Sequence, residues 1–192
     1  IQHGEAIFNM SSSFHRREEG LEHQMSMRST VAPEDLRNEL DVIREHAEQI
    51  PKGKRDVLTQ DRVLDIRPVE AEDPFQPERR APRQRYWMRT VGGLPDDSLL
   101  HQAILAYASD YGLLGAALRP HGVTFRDPSV MVASLDHAIW FHRPFRFDEW
   151  LLYVVESPSS GAGRGFSRGT FFTRDGDLVA SVAQEGVVRI RR

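Results

Sequence analysis

A hydroxyl, a carboxylate and an imidazole follow one another at Ser134, Asp136 and His137, the residue types of a nucleophilic triad. They open a segment, SLDHAIWFHRPFRFDEW from Ser134 to Trp150, that crowds aromatics, histidines, arginines and a proline together. On a strand, however, Ser134 and Asp136 share one face and His137 takes the other, so the three cannot assemble locally. His137 and His142 stand across a strand and a turn and match no metal-ligand spacing, so hydrogen-bonded structural roles are expected and no metal site. Gly165-Phe166-Ser167-Arg168-Gly169 matches the G-x-S-x-G elbow, but that motif needs a strand-to-helix turn. Here Thr170-Phe171-Phe172-Thr173 continues as strand. Gly161, Gly163 and Gly165 precede no helix that could supply a phosphate-binding N-terminus.

Asp110 and Gln184 are less conspicuous. Helical spacing puts Ala103, Tyr107, Asp110 and Leu114 on one line, which places a carboxylate on or beside an apolar stripe. An unpaired buried charge is costly, so such a residue has hydrogen-bonding partners or a chemical task; spacing alone leaves both open. Gln184 interrupts an apolar strand, with Val182, Gln184 and Gly186 on one face. Taken singly, Gln184 and Ser134 read as ordinary strand residues.

The elements that must position these residues follow from periodicity and punctuation. Gly4 to Phe14 resembles a strand entered from a turn, and it aligns with Gly176 to Glu185 as a short internal repeat. The chain opens at Ile1 within this pattern, so it is expected to be the C-terminal part of a longer protein. Asp35 to Ile50 could be a helix that stops at Pro51, and Val63 to Val69 a short strand. Pro74, Pro77 and Pro82 read as linker, with Arg79, Arg80, Arg83 and Arg85 as a solvated basic patch. Gln84 to Val91 is strand-like. Leu94-Pro95-Asp96-Asp97-Ser98 offers N-cap chemistry for a long helix from Leu99 to Leu114, its buried face marked by Ala103, Ile104, Tyr107, Tyr111 and Leu114. Gly112 and Gly115 suggest where that helix frays. Strands follow at about Val130 to Phe141, Asp148 to Glu156, Arg164 to Thr173 and Leu178 to Val188, separated by turns that include Ser157 to Gly163. One strand, one long helix and four strands describe an α+β hot-dog arrangement, an antiparallel sheet wrapped around a helix. The expected division is 1–16 as the last strand of a first unit, 17–82 as linker and 83–192 as a second unit.

Composition excludes several function classes. The 192 residues include no cysteine, which rules out disulfides, a thiol nucleophile and thiolate metal sites and fits a cytoplasmic protein. A formal net charge of -3 gives no general reason to expect nucleic acid or an anionic membrane. No apolar run is long enough for a transmembrane helix.

Several short motifs together resemble one family, the type II acyl-CoA thioesterases, which are double hot-dog enzymes. They are Gly20-Leu21-Glu22-His23-Gln24, Arg67-Pro68-Val69-Glu70, Leu94-Pro95-Asp96-Asp97, Tyr107-Ala108-Ser109-Asp110-Tyr111, Leu118-Arg119-Pro120-His121-Gly122, the Ser134 segment and Val182-Ala183-Gln184-Glu185-Gly186. The resemblance implies a C-terminal part of such a protein and a catalytic trio of Asp110, Ser134 and Gln184, with Ser134 where many relatives carry Thr. It implies that these side chains hold a water that attacks an acyl-CoA thioester directly, without a covalent intermediate and without a cofactor. The expected partners are acyl-CoA and further copies of the chain. A non-catalytic acyl-CoA-binding hot-dog is the alternative. Hot-dog dehydratase chemistry would want a histidine beside the acid, and His101 falls off the line that carries Asp110.

Overall fold

The computed structural model describes residues 3–16, 18–70, 72–73 and 75–191. Its centre is one antiparallel sheet of seven strands: β1 (Leu64–Pro68), β2 (Arg83–Thr90), β3 (Val130–Ser134), β4 (Ala138–Phe141), β5 (Leu151–Gly161), β6 (Arg164–Thr173) and β7 (Leu178–Ile190). The order is β1-β2-β5-β6-β7-β3, with β4 also paired to β7. Alternation sorts each strand between two faces. Tyr86, Met88, Leu151, Tyr153, Val155, Phe171 and Val182 turn to one face and pack with Leu105, Ala108, Leu113 and Ala116 of the helices α3 (Ser98–Ser109) and α4 (Leu113–Leu118). Tyr153 and Phe171 stack there with centroids 3.9 Å apart. On the opposite face Trp87, Trp150, Leu152 and Phe172 form a second cluster, covered by Met27 and Leu36. Trp87 Nε1 donates to the Val31 carbonyl at 2.9 Å, which ties the N-terminal segment over that face.

The helix expected from Leu99 to Leu114 is present but broken. Asp97 caps α3, accepting from Leu99 N at 2.9 Å and Leu100 N at 3.4 Å. Gly112, at φ +78, takes the left-handed conformation that ends the first helix and starts the second. The buried face is also rotated from the expected one. His101, Leu105, Ala108 and Ser109 face the sheet, whereas Tyr107 is 72% exposed. A curled sheet covers only part of a helix, and the apolar stripe read from sequence borders that contact. The helix runs closest to the sheet where side chains vanish. A Cβ on Gly165 would meet Ala117 Cβ at 2.7 Å, and one on its cross-strand partner Gly186 would meet Leu114 Cδ2 at 2.5 Å.

Other expectations are corrected. Beyond an isolated bridge at Glu5, residues 6–16 carry no helix or strand, so the strand expected over Gly4 to Phe14 is not formed. Phe8 and Phe14 stand 74% and 91% exposed with no strand alongside among the described residues, and a lone strand has nothing to hold it. The helix expected from Asp35 to Ile50 is shorter: α1 (Glu39–Glu45) starts from Asn38, whose side chain accepts from Leu40 N at 2.7 Å. A 3-10 turn at Ala47–Gln49 follows, and the helical stretch stops before Pro51 as expected, with Pro51 itself the N-cap of α2 (Lys52–Thr59). β1, within the stretch expected as linker, is the outer strand of the same sheet. The turn expected over Ser157 to Gly163 narrows to Ala162-Gly163, because β5 continues through a bulge after Glu156.

Candidate active site

β7 carries Gln184 on its inner face, 1% exposed, beneath the α3–α4 break. Its Nε2 donates to Asp110 Oδ1 at 2.6 Å and to Ser134 Oγ at 2.8 Å. Asp110 is the C-cap residue of α3, and Ser134 is the last residue of β3. Three residues from a helix end, an edge strand and the adjacent strand therefore meet through one amide. The stripe expected to bury Asp110 leaves it exposed instead, because the chain turns outward at Gly112. Both amide hydrogens of Gln184 are spent, and its Oε1 is buried without a hydrogen-bond partner among the described residues. Ser134 accepts from Gln184, so its own hydrogen remains to be given. Asp110 and Ser134 line a depression of about 210 Å³ with Leu114, Phe125, Val132 and Ala133. A carboxylate acceptor beside a hydroxyl donor at an open pocket can grip a small polar molecule such as water.

A bulge aims Ser134. Ser134 pairs with Gly186 and Ala138 with Ala183, so residues 135–137 oppose only 184–185. Leu135 N donates to the Glu185 carbonyl at 2.9 Å, and Glu185 N donates to Asp136 Oδ1 at 2.7 Å. The extra residue sends the three triad-like groups to different partners. His137 Nε2 lies 2.8 Å from Ser109 Oγ. That hydroxyl gives its single hydrogen to the Ala106 carbonyl at 2.8 Å, so the ring nitrogen must be the donor. Burial lowers the His137 pKa, against the pull of Asp110 and Asp136, and favours the neutral ring.

The remaining candidates behave structurally. His142 Nε2 is 2.8 Å from Ser181 Oγ, and His101 Nδ1 accepts from Phe147 N at 2.9 Å in the core. Arg80 pairs with Glu72 and Glu78, and Arg85 with Glu70, which neutralises much of the basic patch. Among the described residues no group of three or more His, Asp or Glu is arranged to hold a metal. Among the same residues no helix is long and apolar enough to cross a membrane. Neither the contact between His137 and Ser109 nor the bulge has a signal in residue spacing, since both depend on cross-strand register.

A second depression, about 660 Å³, lies along the outward side of α3. It is lined chiefly by apolar groups, among them Val63, Val91, Leu94, Ala103, Ile104 and Tyr107. Tyr107 and Asp110 are neighbours at helical spacing, so one stripe of α3 runs from this depression to the site.

A family model described as Acyl-CoA thioesterase matches residues 54–187. The chain is 36% identical over 189 residues to Acyl-CoA thioesterase 2 of Haemophilus influenzae, which covers 98% of this chain and 66% of that relative. A solved acyl-CoA thioesterase II from Mycobacterium marinum is similar with a TM-score of 0.66 at 38% identity, covering 91% of this chain and 59% of that one. A protein of unknown function from Alicyclobacillus acidocaldarius, described as having a hot dog fold, gives a TM-score of 0.63 at 17% identity over 92% of this chain and 60% of that one. The α+β hot-dog fold is thereby shown, and the chain spans 66% of the length of the curated relative.

Proposed function

Because the chain belongs to the acyl-CoA thioesterase family, we propose that the protein hydrolyses fatty acyl-CoA to a free acid and CoA, using a water held by Asp110, Ser134 and Gln184. The observation that supports this most is the Gln184 amide, which bridges the Asp110 carboxylate and the Ser134 hydroxyl. In this reading the water donates one hydrogen to Asp110 and accepts the free hydrogen of Ser134. Its remaining lone pair attacks the thioester carbonyl. Asp110 takes the proton as the carbon–oxygen bond forms, and the tetrahedral intermediate collapses with loss of the CoA thiolate. The proton then passes to the thiolate or to solvent. Gln184 keeps the carboxylate and hydroxyl in register and does not itself react.

The apolar depression along α3 suits the acyl chain, since ligand pockets of roughly 300–1,000 Å³ lined by apolar groups are the rule. The outer edge of β3 and β4, which no strand covers among the described residues, suits pairing with another such sheet, and a homo-oligomer is the reading we favour.

A thiol-trapping assay on the intact protein tests the reading. Asp110→Asn and Gln184→Ala should each lower kcat by about a hundredfold or more with the fold retained. Unchanged turnover in both would refute the site. Tight acyl-CoA binding without hydrolysis by the unmodified protein would instead assign a non-catalytic binding role.

A further inference from the structure

The elbow lookalike on β6 has another use in the fold. Period two turns Gly165, Ser167 and Gly169 to the inner face, where all three are buried. The two glycines leave room for α4 and for the Tyr153 ring, which a Cβ at either position would strike. Between them Ser167, fully buried, donates from Oγ to the Leu113 carbonyl at 2.7 Å. The strands beyond repeat the move. Tyr153 on β5 donates from its hydroxyl to the Ser109 carbonyl at 2.7 Å, and Gln84 on β2 donates from Nε2 to the Gly112 carbonyl at 2.5 Å. Gln84, Tyr153 and Ser167 are 7%, 0% and 0% exposed, so these bonds form out of competition with water.

Three adjacent strands thus each send one buried donor to a carbonyl of the chain bracketing Asp110. Ser109 ends α3, where carbonyls lack intrahelical donors, while Gly112 and Leu113 open α4 and take a second donor from the sheet. We propose that Gln84, Tyr153 and Ser167 are positioning residues that lock the 109–113 turn and so hold the Asp110 carboxylate on Gln184. The proposal rests on the hydrolytic reading of Asp110, Ser134 and Gln184. Among the described residues Asp110 makes one side-chain hydrogen bond, to Gln184 at 2.6 Å, and a tilt of the turn would lengthen or misalign it. Burial holds the Tyr153 phenol protonated, so its donation persists across working pH. The Gly112 carbonyl accepts Ala116 N at 3.0 Å as well as Gln84, so the left-handed residue is anchored from both sides.

Tyr153→Phe and Ser167→Ala, each removing a single oxygen, test this in the intact protein. We expect kcat to fall about tenfold to a hundredfold with KM for acyl-CoA changed less than about twofold. Phe172→Leu, on the opposite face of the sheet, controls for destabilisation alone and should lower Tm while kcat holds. Folded Tyr153→Phe and Ser167→Ala proteins with unmodified kcat would overturn the proposal. If neither accumulates folded, Gln84→Asn, which keeps the amide but shortens its reach, decides by the same two readings. Activity retained in Asp110→Asn would refute the site itself. Activity lost there but kept in the positioning variants would refute only the proposal.

Discussion

Gln184 illustrates how one side chain acquires a role that its neighbours in sequence do not announce. Among Leu178-Val179-Ala180-Ser181-Val182-Ala183 it reads as a strand end, yet it lies 1% exposed and gives both hydrogens to groups on other elements. Removing its acceptors one at a time separates their contributions. Ser134→Thr keeps the hydroxyl and adds a methyl that restrains the rotamer. It should hold kcat within a fewfold of the unmodified protein. Ser134→Ala, which leaves a Gln184 hydrogen unpaired in a buried setting, should lose about tenfold or more, as steady-state thioester hydrolysis would show. Equal rates in the two variants would remove Ser134 from the site. Residue types and spacing raised Asp110 as a question and passed over Ser134 and Gln184; family resemblance named all three. Their convergence depends on a helix end, a bulge and a strand register that sequence periodicity does not specify.

At the scale of elements, α3 departs most from expectation. Ala103, Ile104, Tyr107 and the C-cap Asp110 do share a side of α3, as helical spacing requires, but Ala103, Ile104 and Tyr107 line the outward apolar depression, and Leu114 falls on α4 beyond the break. Periodicity reports which residues share a face and not which face the sheet covers. His101, polar and fully buried, shows the converse: its Nδ1 accepts from the Phe147 backbone N–H, while its Nε2 is buried without a partner among the described residues. If the depression receives the acyl chain, Ala103→Phe should shorten the preferred substrate. Each methylene denied burial is worth about 0.8 kcal/mol, or about fourfold in kcat/KM. Long-chain acyl-CoA should therefore suffer and short-chain substrates keep their rates. A chain-length profile that shifts uniformly, or not at all, would place the acyl group elsewhere.

The molecule as a whole ends its sheet on an unequal pair of borders. Beside β1 the N-terminal segment folds back, with Arg67 Nη1 donating to the Pro33 carbonyl at 2.8 Å. The β3–β4 border instead exposes Met131, Leu135, Trp140 and Phe141, at 38%, 55%, 54% and 41%. An open edge rimmed by large apolar side chains favours pairing, and it lies next to Ser134. If copies of the chain pair through this edge, Trp140→Glu should lower the mass measured by light scattering and, by opening the site, raise KM. An unchanged mass would exclude this edge as the contact. The expected order of one strand, a helix and four strands meets β2, α3–α4 and five strands, β3 to β7, because the bulge after Ser134 splits the strand expected over Val130 to Phe141 into β3 and β4; the rest agrees because alternation and capping are local properties.

Local chemistry in the sequence determined where strands alternate, that Asp97 caps a helix and that Gly112 interrupts one. Those outcomes follow from backbone conformation and short-range hydrogen bonding, which each segment carries with it. Tertiary structure alone decided which helix face meets the sheet, that β1 joins it, and that Ser167, read as a nucleophile lookalike, serves the Leu113 carbonyl. These depend on contacts between residues far apart in the chain. The close seating of α4 on the sheet likewise needs glycine at both 165 and 186, which pair across β6 and β7, a condition that no segment states by itself.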